Sequence, residues 1–410
     1  MKLLQVDTLS QAREKLLAAF GAHEVKTERV SLSEAGGRIL SEDLMAAEAI
    51  PSFYRSSVDG YAVKSRDTAG ATDSIPVFLE IVEEVAIGHP AEKPIHSGQC
   101  AYVPTGGMLP EGADAMVMVE YSELFAENQV ALYESVSFGR SVVVPGEDVK
   151  RGEKLLSRGT KLGPAQVGVL AAAGIDPVPV YVPWRVSILS TGDELVAPGQ
   201  QPGAGQVRDI NTWALKSFVQ TAGLQTVLTK MLPDRKELLE QSLREAMQCS
   251  DWVLTSGGSS QGKKDVTNEL LCLVSDGGVF THGLALKPGK PTILGYDSAT
   301  DTLLAGLPGH PVAALTVFQL LLVWLWKEKT GQAEEKRLMA RMKTNLASAP
   351  GKTTCLPIKL EYTPEGYLAE PILGKSGLIT TMSQADGYVI VDMNREGLRA
   401  GELVSVFPFG

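Results

Sequence analysis

The chain has 410 residues, of which 44% are hydrophobic and 21% charged, and its formal net charge is −10 at pH 7. This length accommodates about two to four domains with hydrophobic cores of their own. A net negative charge argues against a general nucleic-acid-binding protein, which usually carries a basic surface. No apolar run approaches the ~18 residues expected of a membrane helix. The N-terminus lacks the basic start and apolar core of a signal peptide, so we expect a cytoplasmic protein.

The first predicted element is an amphipathic helix over 9–20, with Thr8 or Ser10 as its N-cap. Between 51 and 144, short alternating runs are separated by glycine, proline and acidic turns, which predicts a small β-rich domain. Its predicted strands lie at 77–85, 100–103, 115–120 and 129–136. A helix is then predicted over 165–173, because the preceding proline fits a first helical turn.

From 185 to 329 strands and helices alternate, which is typical of βαβ units and predicts a parallel sheet. The predicted elements are strand 186–190, helix 212–222, strand 225–231, helix 234–248, strand 252–255, helix 265–275 and helix 311–326. The tail, 336–410, is rich in strand patterns on either side of a glycine- and serine-containing segment at 374–377. It predicts a separate small β domain.

Three glycine-rich loops, 190–194, 256–262 and 306–311, each follow a short apolar run that predicts a buried strand. Ligands of open α/β sheets bind at the carboxyl ends of the strands. Glycines let backbone N–H groups approach an anion closely, and the N-termini of following helices favour negative charge. The three loops therefore predict one crevice for a phosphate-bearing ligand. The nearby turn at 287–290 adds two lysines.

Cysteine and histidine spacing gives no sign of a transition-metal site. The chain contains no C-x-x-C pair and no H-x-x-x-H pair among its five histidines. Buried free thiols are therefore the prediction for all four cysteines, since free cysteine is often buried. They are Cys100, Cys249, Cys272 and Cys355.

Eight short motifs occur in order along the chain. They are Ser57-Val58-Asp59-Gly60-Tyr61-Ala62, Pro104-Thr105-Gly106-Gly107, Pro145-Gly146-Glu147-Asp148, Ser190-Thr191-Gly192-Asp193-Glu194, Asp209-Ile210-Asn211, Ser256-Gly257-Gly258, Lys287-Pro288-Gly289-Lys290-Pro291 and Leu307-Pro308-Gly309. One such motif is weak evidence, but the ordered set is specific. Over essentially its whole length the chain resembles the MoeA family of molybdopterin molybdenumtransferases, which includes the E domain of gephyrin.

The resemblance implies a multidomain α/β plus β fold with four domains. These are a MogA-like parallel-sheet α/β domain that binds molybdopterin (1–26 and 179–330), a small β-rich domain (51–144), an extended linking domain (27–50 and 145–178) and a C-terminal β-barrel-like domain (331–410). It also implies a homodimer in which the active cleft lies between the α/β domain of one subunit and other domains of its partner.

The activity implied by the resemblance is the last step of molybdenum cofactor biosynthesis. Molybdenum from molybdate is inserted into adenylylated molybdopterin, AMP is released, and Mg²⁺ takes part. The implied partners are a MogA-like adenylyltransferase, which delivers the substrate, and molybdoenzyme apoproteins or their chaperones. No nucleic acid or membrane is expected as a partner.

Carboxylates at strand ends are the first candidates for holding Mg²⁺. Glu194 and Asp265 lie in the predicted phosphate-binding loops, and magnesium prefers oxygen ligands, often one or two carboxylates plus substrate phosphates. The alternative is that each carboxylate caps the helix that follows it. Lys287 and Lys290 flank a rigid turn and could attract molybdate or neutralise phosphoryl oxygens, the alternative being a solvated basic turn.

Further site residues are carried by the resemblance. It implies that Asp59 acts on molybdate or the metal and that Thr105 donates a hydrogen bond. Taken alone, Asp59-Gly60 is a favoured hairpin turn, and the Asp209-Ile210-Asn211 segment is an N-cap or part of the cleft. The expected substrate-binding residues are Thr191, Gly192, Ser256, Gly257, Gly258, Gly262, Lys263, Pro308, Gly309 and His310.

Several residues of the expected cleft depart from the family pattern, among them Gly107, Ser259 and Gln261. His310 stands where members usually carry asparagine, and Lys263 stands where an acidic residue is common. Histidine can titrate near neutral pH. A lysine would repel a nearby metal ion but help to bind a phosphate or an oxyanion. We hypothesise that anion binding is strengthened or that the preferred substrate differs, which a Lys263→Glu variant tests. These changes leave open a divergent paralogue that uses tungstate or a modified pterin, or a non-catalytic molybdopterin-binding carrier.

Overall fold

The computed structural model describes residues 6–257, 266–334, 336–348 and 350–409. The chain divides into two compact units, each formed from segments that are separated in sequence. The first unit comprises Met1–Glu42, Arg158–Gly163 and Pro177–Gly410, and the second comprises Asp43–Ser157 and Pro164–Asp176.

The centre of the first unit is a six-stranded sheet. Its strands are β1 (Arg185–Thr191), β2 (Gln225–Leu232), β3 (Trp252–Ser256), β4 (Val279–His282), β5 (Ile293–Asp297) and β6 (Thr302–Leu307). Their spatial order is β2-β1-β3-β6-β5-β4; the first four strands are parallel to one another, and the pairings β6–β5 and β5–β4 are antiparallel. The parallel core confirms the βαβ arrangement predicted from the sequence, and an antiparallel edge extends it. Strands β3 and β6 are buried throughout, as expected of strands covered on both faces.

Five helical segments accompany this sheet. They are α1 (Leu9–Phe20), α2 (Asn211–Thr221), α3 (Lys236–Cys249), α4 (Val266–Val274) and α5 (Pro311–Thr330). The N-terminus of α1 confirms the predicted cap. The Gln11 N–H donates to Thr8 Oγ1 at 3.2 Å and the Thr8 N–H donates to Gln11 Oε1 at 2.9 Å, which is a reciprocal capping box.

Helix α5 begins where the sequence predicted a helix and extends four residues beyond the predicted end at 326. It runs for 20 residues, and an 18-residue stretch of it has a mean hydropathy of 1.3, enough by length and composition to cross a membrane; 78% of that stretch is buried within the protein. The expectation that no run of this kind exists is therefore wrong. Burial on all sides explains a helix that is apolar all round. The helix ends where Gly331 adopts a left-handed conformation with φ of 69°.

Three tryptophans join the helices to the sheet. The ring centroid of Trp184 lies 5.0 Å from that of Trp252 on β3 and 4.8 Å from that of Trp326 on α5. Phe20 at the end of α1 packs edge-on against Trp184 at 5.3 Å. Aromatic pairs at these separations add to the stability gained from burial. The cluster fixes α1 and α5 on the same side of the sheet.

A closed β-barrel follows the α/β region. Its strands are Leu338–Met342, Thr353–Thr363, Gly366–Pro371, Gly387–Val391 and Leu403–Pro408. The ring closes because Thr353–Thr363 pairs with both Gly366–Pro371 and Gly387–Val391. The short strand Leu286–Lys287 also pairs with Thr353–Thr363, so the lysine-bearing turn is attached directly to the barrel.

Smaller elements complete the first unit. They are the paired strands Thr27–Val30 with Val178–Tyr181, Leu195–Val196 with Val207–Arg208 and Leu346–Ala347 with Gly397–Leu398, the 3₁₀ turn Leu32–Glu34 and the helix Thr380–Ser383.

The second unit is built on a six-stranded sheet, as the β-rich pattern predicted. Its spatial order is Ala115–Met118, Gly60–Val63, Gln99–Val103, Val77–Glu84, Gln129–Leu132 and Ser122–Ala126. Two small strand pairs, two 3₁₀ turns and one helix accompany it: Leu44–Met45 with Lys154–Leu156, Arg55–Ser56 with Val142–Val143, Ser65–Thr68, Val119–Tyr121 and Pro164–Ala172. Gly60 is required where it stands, because a Cβ there would lie 2.0 Å from the Val117 carbonyl oxygen.

The cysteines differ from the prediction that all four are buried. Cys100 and Cys355 are buried, Cys249 is half-buried and Cys272 is exposed on α4. Burial raises the pKa of Cys100 and of Cys355 to about 12. The thiolate is the reactive form, so at pH 8 both carry only about one part in ten thousand of it.

Alkylation should therefore discriminate among the thiols. We expect iodoacetamide at about pH 8 to label Cys272 first and to leave Cys100 and Cys355 unmodified until the protein is denatured. Peptide mass spectrometry of the native and the denatured protein measures this. Rapid labelling of Cys355 in the native protein would contradict the burial described above.

Candidate functional site

The carboxyl ends of β1, β3 and β6 surround one cleft of about 590 Å³ within the first unit, here called the strand-end cleft. The three glycine-rich loops contribute to its walls together with the segment that precedes α2. Its lining includes Ser190, Thr191, Glu194, Arg208, Asp209, Asn211, Ser256, Gly257, Pro308, Gly309 and His310. The predicted convergence of the loops at one edge of the sheet is therefore what the structure shows.

Close packing of backbone against backbone holds these loops together. Gly257 has φ of 115°, and a Cβ at this position would lie 2.0 Å from the Thr191 carbonyl oxygen. A Cβ on Gly309 would lie 3.8 Å from the Cα of Gly257. Only glycine permits both the conformation and the contact at 257.

Asn211 connects the loops through its side chain. Its Nδ2 donates to Ser256 Oγ at 2.6 Å and to the Gly309 carbonyl oxygen at 2.8 Å. Because a carbonyl oxygen only accepts, these bonds fix the orientation of the amide. Its Oδ1 is buried and has no hydrogen-bond partner in the part of the chain that the structure describes. A buried acceptor on the cleft wall is suited to a ligand N–H or O–H group.

Asp209 has a structural role that the sequence analysis left open. Its Oδ1 accepts from the Thr212 N–H at 3.1 Å and from Ser190 Oγ at 3.3 Å, so it satisfies a donor in the first turn of α2. We expect Asp209→Ala to lower the free energy of unfolding by about 1 kcal/mol. Asp209→Asn keeps the acceptor and serves as the control in urea titrations. Equal stability of the two variants would exclude this role.

Glu194 is the carboxylate of the predicted metal set that lies in the strand-end cleft. It is exposed, and a Cβ on Gly192 would lie 2.7 Å from Glu194 Oε2, so the carboxylate lies over the glycine backbone. Gly192 therefore leaves room for this side chain. Among the described residues, Glu194 forms no ion pair.

A second cavity, here called the lysine cavity, adjoins the first. It has a volume of about 570 Å³, and its lining, in the part of the chain that the structure describes, includes four lysines and no aspartate or glutamate. Within the described residues none of these lysines lies within salt-bridge distance of a carboxylate. They are the predicted Lys287 and Lys290 together with Lys352 and Lys375. Four lysines with no carboxylate partner among the described residues make this cavity electropositive and suited to an anion.

The turn that carries Lys287 and Lys290 is tightly packed. Gly289 has φ of 132°, and a Cβ there would lie 2.9 Å from Leu286 Cδ2 and 2.9 Å from Val317 Cγ2. The Thr292 hydroxyl donates to the Gly289 carbonyl oxygen at 2.7 Å. The backbone between the two lysines is thus held in place, while both side chains are exposed.

Asp59 and Thr105 lie in the second unit. Asp59 Oδ1 accepts from the Thr105 backbone N–H at 2.7 Å, and both residues are exposed. The structure therefore brings these two predicted residues together as a pair. Four predicted residues lie outside the described part of the chain: Gly258, Gly262, Lys263 and Asp265.

A magnesium ion in the strand-end cleft would have few ligands from the protein. Among the described residues there is no group of three or more His, Cys, Asp or Glu side chains that could hold a metal. Mg²⁺ often takes only one or two carboxylates and completes its shell with water and substrate phosphates. Glu194 in the strand-end cleft could supply one such carboxylate.

Sequence reasoning missed part of the site. Lys352, Lys375 and Ser376 line the lysine cavity, and Arg208 lines the strand-end cleft. The glycines around 374–377 were the one signal for the barrel loop, since paired glycines mark a turn. Nothing in its local sequence pattern indicated Lys352.

The fold and these cavities define a multidomain α/β protein that carries a strand-end cleft and a closed barrel. The chain matches the model of the MoeA N-terminal region (domain I and II) over residues 7–174, of a probable molybdopterin binding domain over 187–327 and of the MoeA C-terminal region (domain IV) over 339–409.

Relatives match over nearly the full length. The molybdopterin molybdenumtransferase of Haemophilus influenzae is 32% identical over 407 residues, covering 98% of each chain, and that of Bacillus subtilis is 30% identical over 391 residues, covering 93% of this chain and 89% of its own. The crystal structure of the molybdopterin biosynthesis MoeA protein from Pyrococcus horikosii is 34% identical, with a TM-score of 0.79 and coverage of 99% of this chain and 100% of its own.

The chain belongs to the MoeA family. Membership confirms the family resemblance and the fold class given by the sequence, and it places the chain among the transferases of molybdenum cofactor biosynthesis.

Proposed function

We propose that this protein inserts molybdenum from molybdate into adenylylated molybdopterin and releases AMP. The observation that supports this proposal is the adjacency of two cavities with different chemistry. The strand-end cleft offers hydroxyls, backbone and carboxylates, whereas the lysine cavity offers four cations. Pro291, Pro308 and His310 line both. A large ligand with a phosphoanhydride and a small oxyanion can thus be held side by side.

The strand-end cleft is suited to the phosphate-bearing substrate. Ser256 and Thr191 supply hydroxyl groups, and Asn211 Oδ1 supplies a buried acceptor for a substrate donor. Of the described residues that line it, Arg208 is the one lysine or arginine, and Glu194 and Asp209 are the carboxylates. Carboxylates next to a polyanion need a cation between them.

Mg²⁺ is the cation that the donor set fits. Glu194 would hold it in the cleft; Asp265, the second candidate implied by the family resemblance, lies outside the described residues. When bound, Mg²⁺ would neutralise charge on the phosphoanhydride oxygens and so favour release of AMP. The residues of the chain itself bind and orient the two reactants, and the proximity of the two cavities raises their effective concentration.

The lysine cavity is suited to molybdate, a small tetrahedral dianion. Lys287 and Lys290 are held on a packed turn, so little conformational entropy of their backbone is lost on binding. Tungstate has the same shape and charge as molybdate. The residues that line the cavity therefore do not discriminate between the two oxyanions.

The proposal includes the assembly implied by the family. The protein would act in the cytoplasm as a homodimer, take adenylylated molybdopterin from a MogA-like adenylyltransferase and pass the cofactor to molybdoenzyme apoproteins or their chaperones. Asp59 and Thr105 of one subunit would then contribute to the cleft of the other. Sedimentation analysis tests the dimer, and mixing of Asp59→Ala and Glu194→Ala subunits tests whether one heterodimeric site regains activity.

The direct test measures AMP and molybdenum cofactor formed from adenylylated molybdopterin by the purified protein. Molybdate, tungstate and no oxyanion are compared, with and without Mg²⁺. We expect molybdate-stimulated, Mg²⁺-dependent release of AMP. Tight binding of the substrate without turnover under every oxyanion would favour a carrier, and stimulation by tungstate alone would favour the divergent paralogue.

A further inference from the structure

A third cavity of the first unit lies between α2, α5 and the end of the barrel and is here called the helix cavity. Its volume is about 510 Å³, which is within the range of pockets that hold small molecules. In the described part of the chain it shares no lining residue with the strand-end cleft or the lysine cavity. It is therefore a separate candidate site. The residues that define it here are Lys161, Phe218, Val323, Lys327, Lys336 and Phe409.

Apolar and aromatic side chains form much of the wall of the helix cavity. α2 contributes Phe218, α5 contributes Val323, and Phe409 follows the last barrel strand. The ring centroid of Phe218 lies 5.2 Å from that of Phe318, and the ring centroid of Phe409 lies 5.5 Å from that of Tyr388. Phe218 and Phe409 are only half-buried, so both rings keep apolar surface in contact with water. A ligand that covers this surface gains the free energy of apolar burial.

Three lysines border the same cavity, and in the described part of the chain its lining contains no aspartate or glutamate. Lys161 and Lys336 are exposed, and within the described residues neither lies within salt-bridge distance of a carboxylate. Lys161 Nζ donates to the Thr221 carbonyl oxygen at 3.2 Å. An ammonium group has three donors, so this bond leaves two for a ligand. The lysines give the cavity a positive potential that favours an anion.

Helix termini account for two of these lysines but not for the third. Lys161 bonds to a carbonyl oxygen in the last turn of α2, and Lys327 lies in the last turn of α5. Cations in these places complement the helix dipole. Lys336 lies beyond the end of α5 and belongs to neither helix terminus. Its position on the cavity therefore indicates more than the capping of helices.

We propose that the helix cavity binds a small aromatic anion, a flat apolar ring system that carries one carboxylate, sulfonate or phosphate group. The rings would pack against Phe218 and Phe409, and the anionic group would face Lys161 and Lys336. An apolar ligand without charge would gain nothing from the lysines, and an inorganic anion would gain nothing from the aromatic walls. The inference is independent of the proposed function, because it uses neither of the two cavities assigned to the reactants.

The experiment is a fluorescence titration of the full chain with 8-anilinonaphthalene-1-sulfonate, an aromatic sulfonate. N-phenyl-1-naphthylamine has the same rings without the sulfonate, so the pair of probes isolates the contribution of the charge. We expect saturable binding of the sulfonate, and weaker binding of the neutral probe.

Two surface substitutions locate the bound probe. Lys336→Gln removes one cation and should weaken sulfonate binding about threefold while leaving the neutral probe unaffected. Ser217 is an exposed residue of α2 that lines the cavity, and Ser217→Phe should fill the cavity and weaken both probes by about tenfold or more. Lys216→Gln is the matched control, because Lys216 is exposed beside the cavity but does not line it. It should change neither affinity. Circular dichroism checks the fold of each variant.

Three results would overturn the inference. The first is sulfonate binding that Lys336→Gln and Ser217→Phe both leave unchanged. The second is a loss of sulfonate binding in Lys290→Ala but not in Ser217→Phe, which would locate the probe in the lysine cavity. The third is a dimeric wild type that binds neither probe together with a monomeric Ser217→Phe in sedimentation, which would mean that a second copy of the chain covers the cavity. Molybdate-stimulated release of AMP is measured separately, so none of these results decides the proposed function.

Discussion

Replacement of Glu194 by alanine is expected to reduce the rate of AMP release by about 100-fold or more, the size of effect seen when a preorganised charge-stabilising group is removed. Glu194 is the described carboxylate that combines exposure to the strand-end cleft with a position at the end of β1. Its loss would remove a ligand for Mg²⁺ where the phosphoanhydride is proposed to bind. Rates are measured with saturating adenylylated molybdopterin and molybdate.

A neighbouring carboxylate provides a matched control. Asp193 is also exposed, but it is not part of the cleft lining and accepts a hydrogen bond from the Asp234 N–H at 3.1 Å. We expect Asp193→Ala to retain most of the activity. Glu194→Gln should be partly rescued by raised Mg²⁺, because an amide oxygen is a weaker ligand of the same metal. Wild-type turnover in Glu194→Ala would exclude Glu194 from the chemistry.

The part of the site built from strand ends could be predicted from the sequence. A short apolar run followed by glycines is typical of a buried strand and the loop after it. The topology of a parallel sheet brings such loops to one edge. Gly257 illustrates this, because its positive φ and its contact with the Thr191 carbonyl oxygen are both available only to glycine. The residue type and its position after a strand were sufficient to predict Gly257 as a residue of the site.

Asn211 shows why another part of the site could not be assigned. An asparagine at the start of a helix has a sufficient local explanation as a cap. Its actual partners are 45 and 98 residues away along the chain, at Ser256 and Gly309. Only the tertiary structure reveals that its amide connects two loops and leaves Oδ1 as a buried acceptor.

The barrel side of the lysine cavity was hidden for a similar reason. Ser376 reaches His310 across 66 residues of sequence, and Lys352 precedes the strand to which Leu286–Lys287 pairs. A lysine in a β domain is ordinarily a solvated surface residue. Its role depends on the register of this pairing, which a single sequence does not determine.

The second large effect is expected from substitution of lysines in the lysine cavity, which should weaken molybdate binding. We expect Lys287→Ala and Lys290→Ala each to weaken molybdate binding by about tenfold, and the double variant by about 100-fold, since a charge-assisted hydrogen bond contributes roughly 1.5–3 kcal/mol. Each substitution also leaves three of the four cavity lysines in place. The measurement is calorimetric titration with molybdate at constant ionic strength, because salt screens exposed charges.

A lysine on the barrel strand that pairs with Leu286–Lys287 supplies the control. Lys359 is exposed on Thr353–Thr363 but does not line the cavity, so Lys359→Ala changes net charge equally and should leave molybdate affinity unchanged. If it weakened binding as much as Lys290→Ala, the effect would come from the overall field rather than from the cavity. Because molybdate and the pterin substrate are proposed to occupy different cavities, the lysine variants should raise the molybdate concentration needed for turnover while leaving substrate binding intact. Equal loss of both affinities would mean that the cavities form one site.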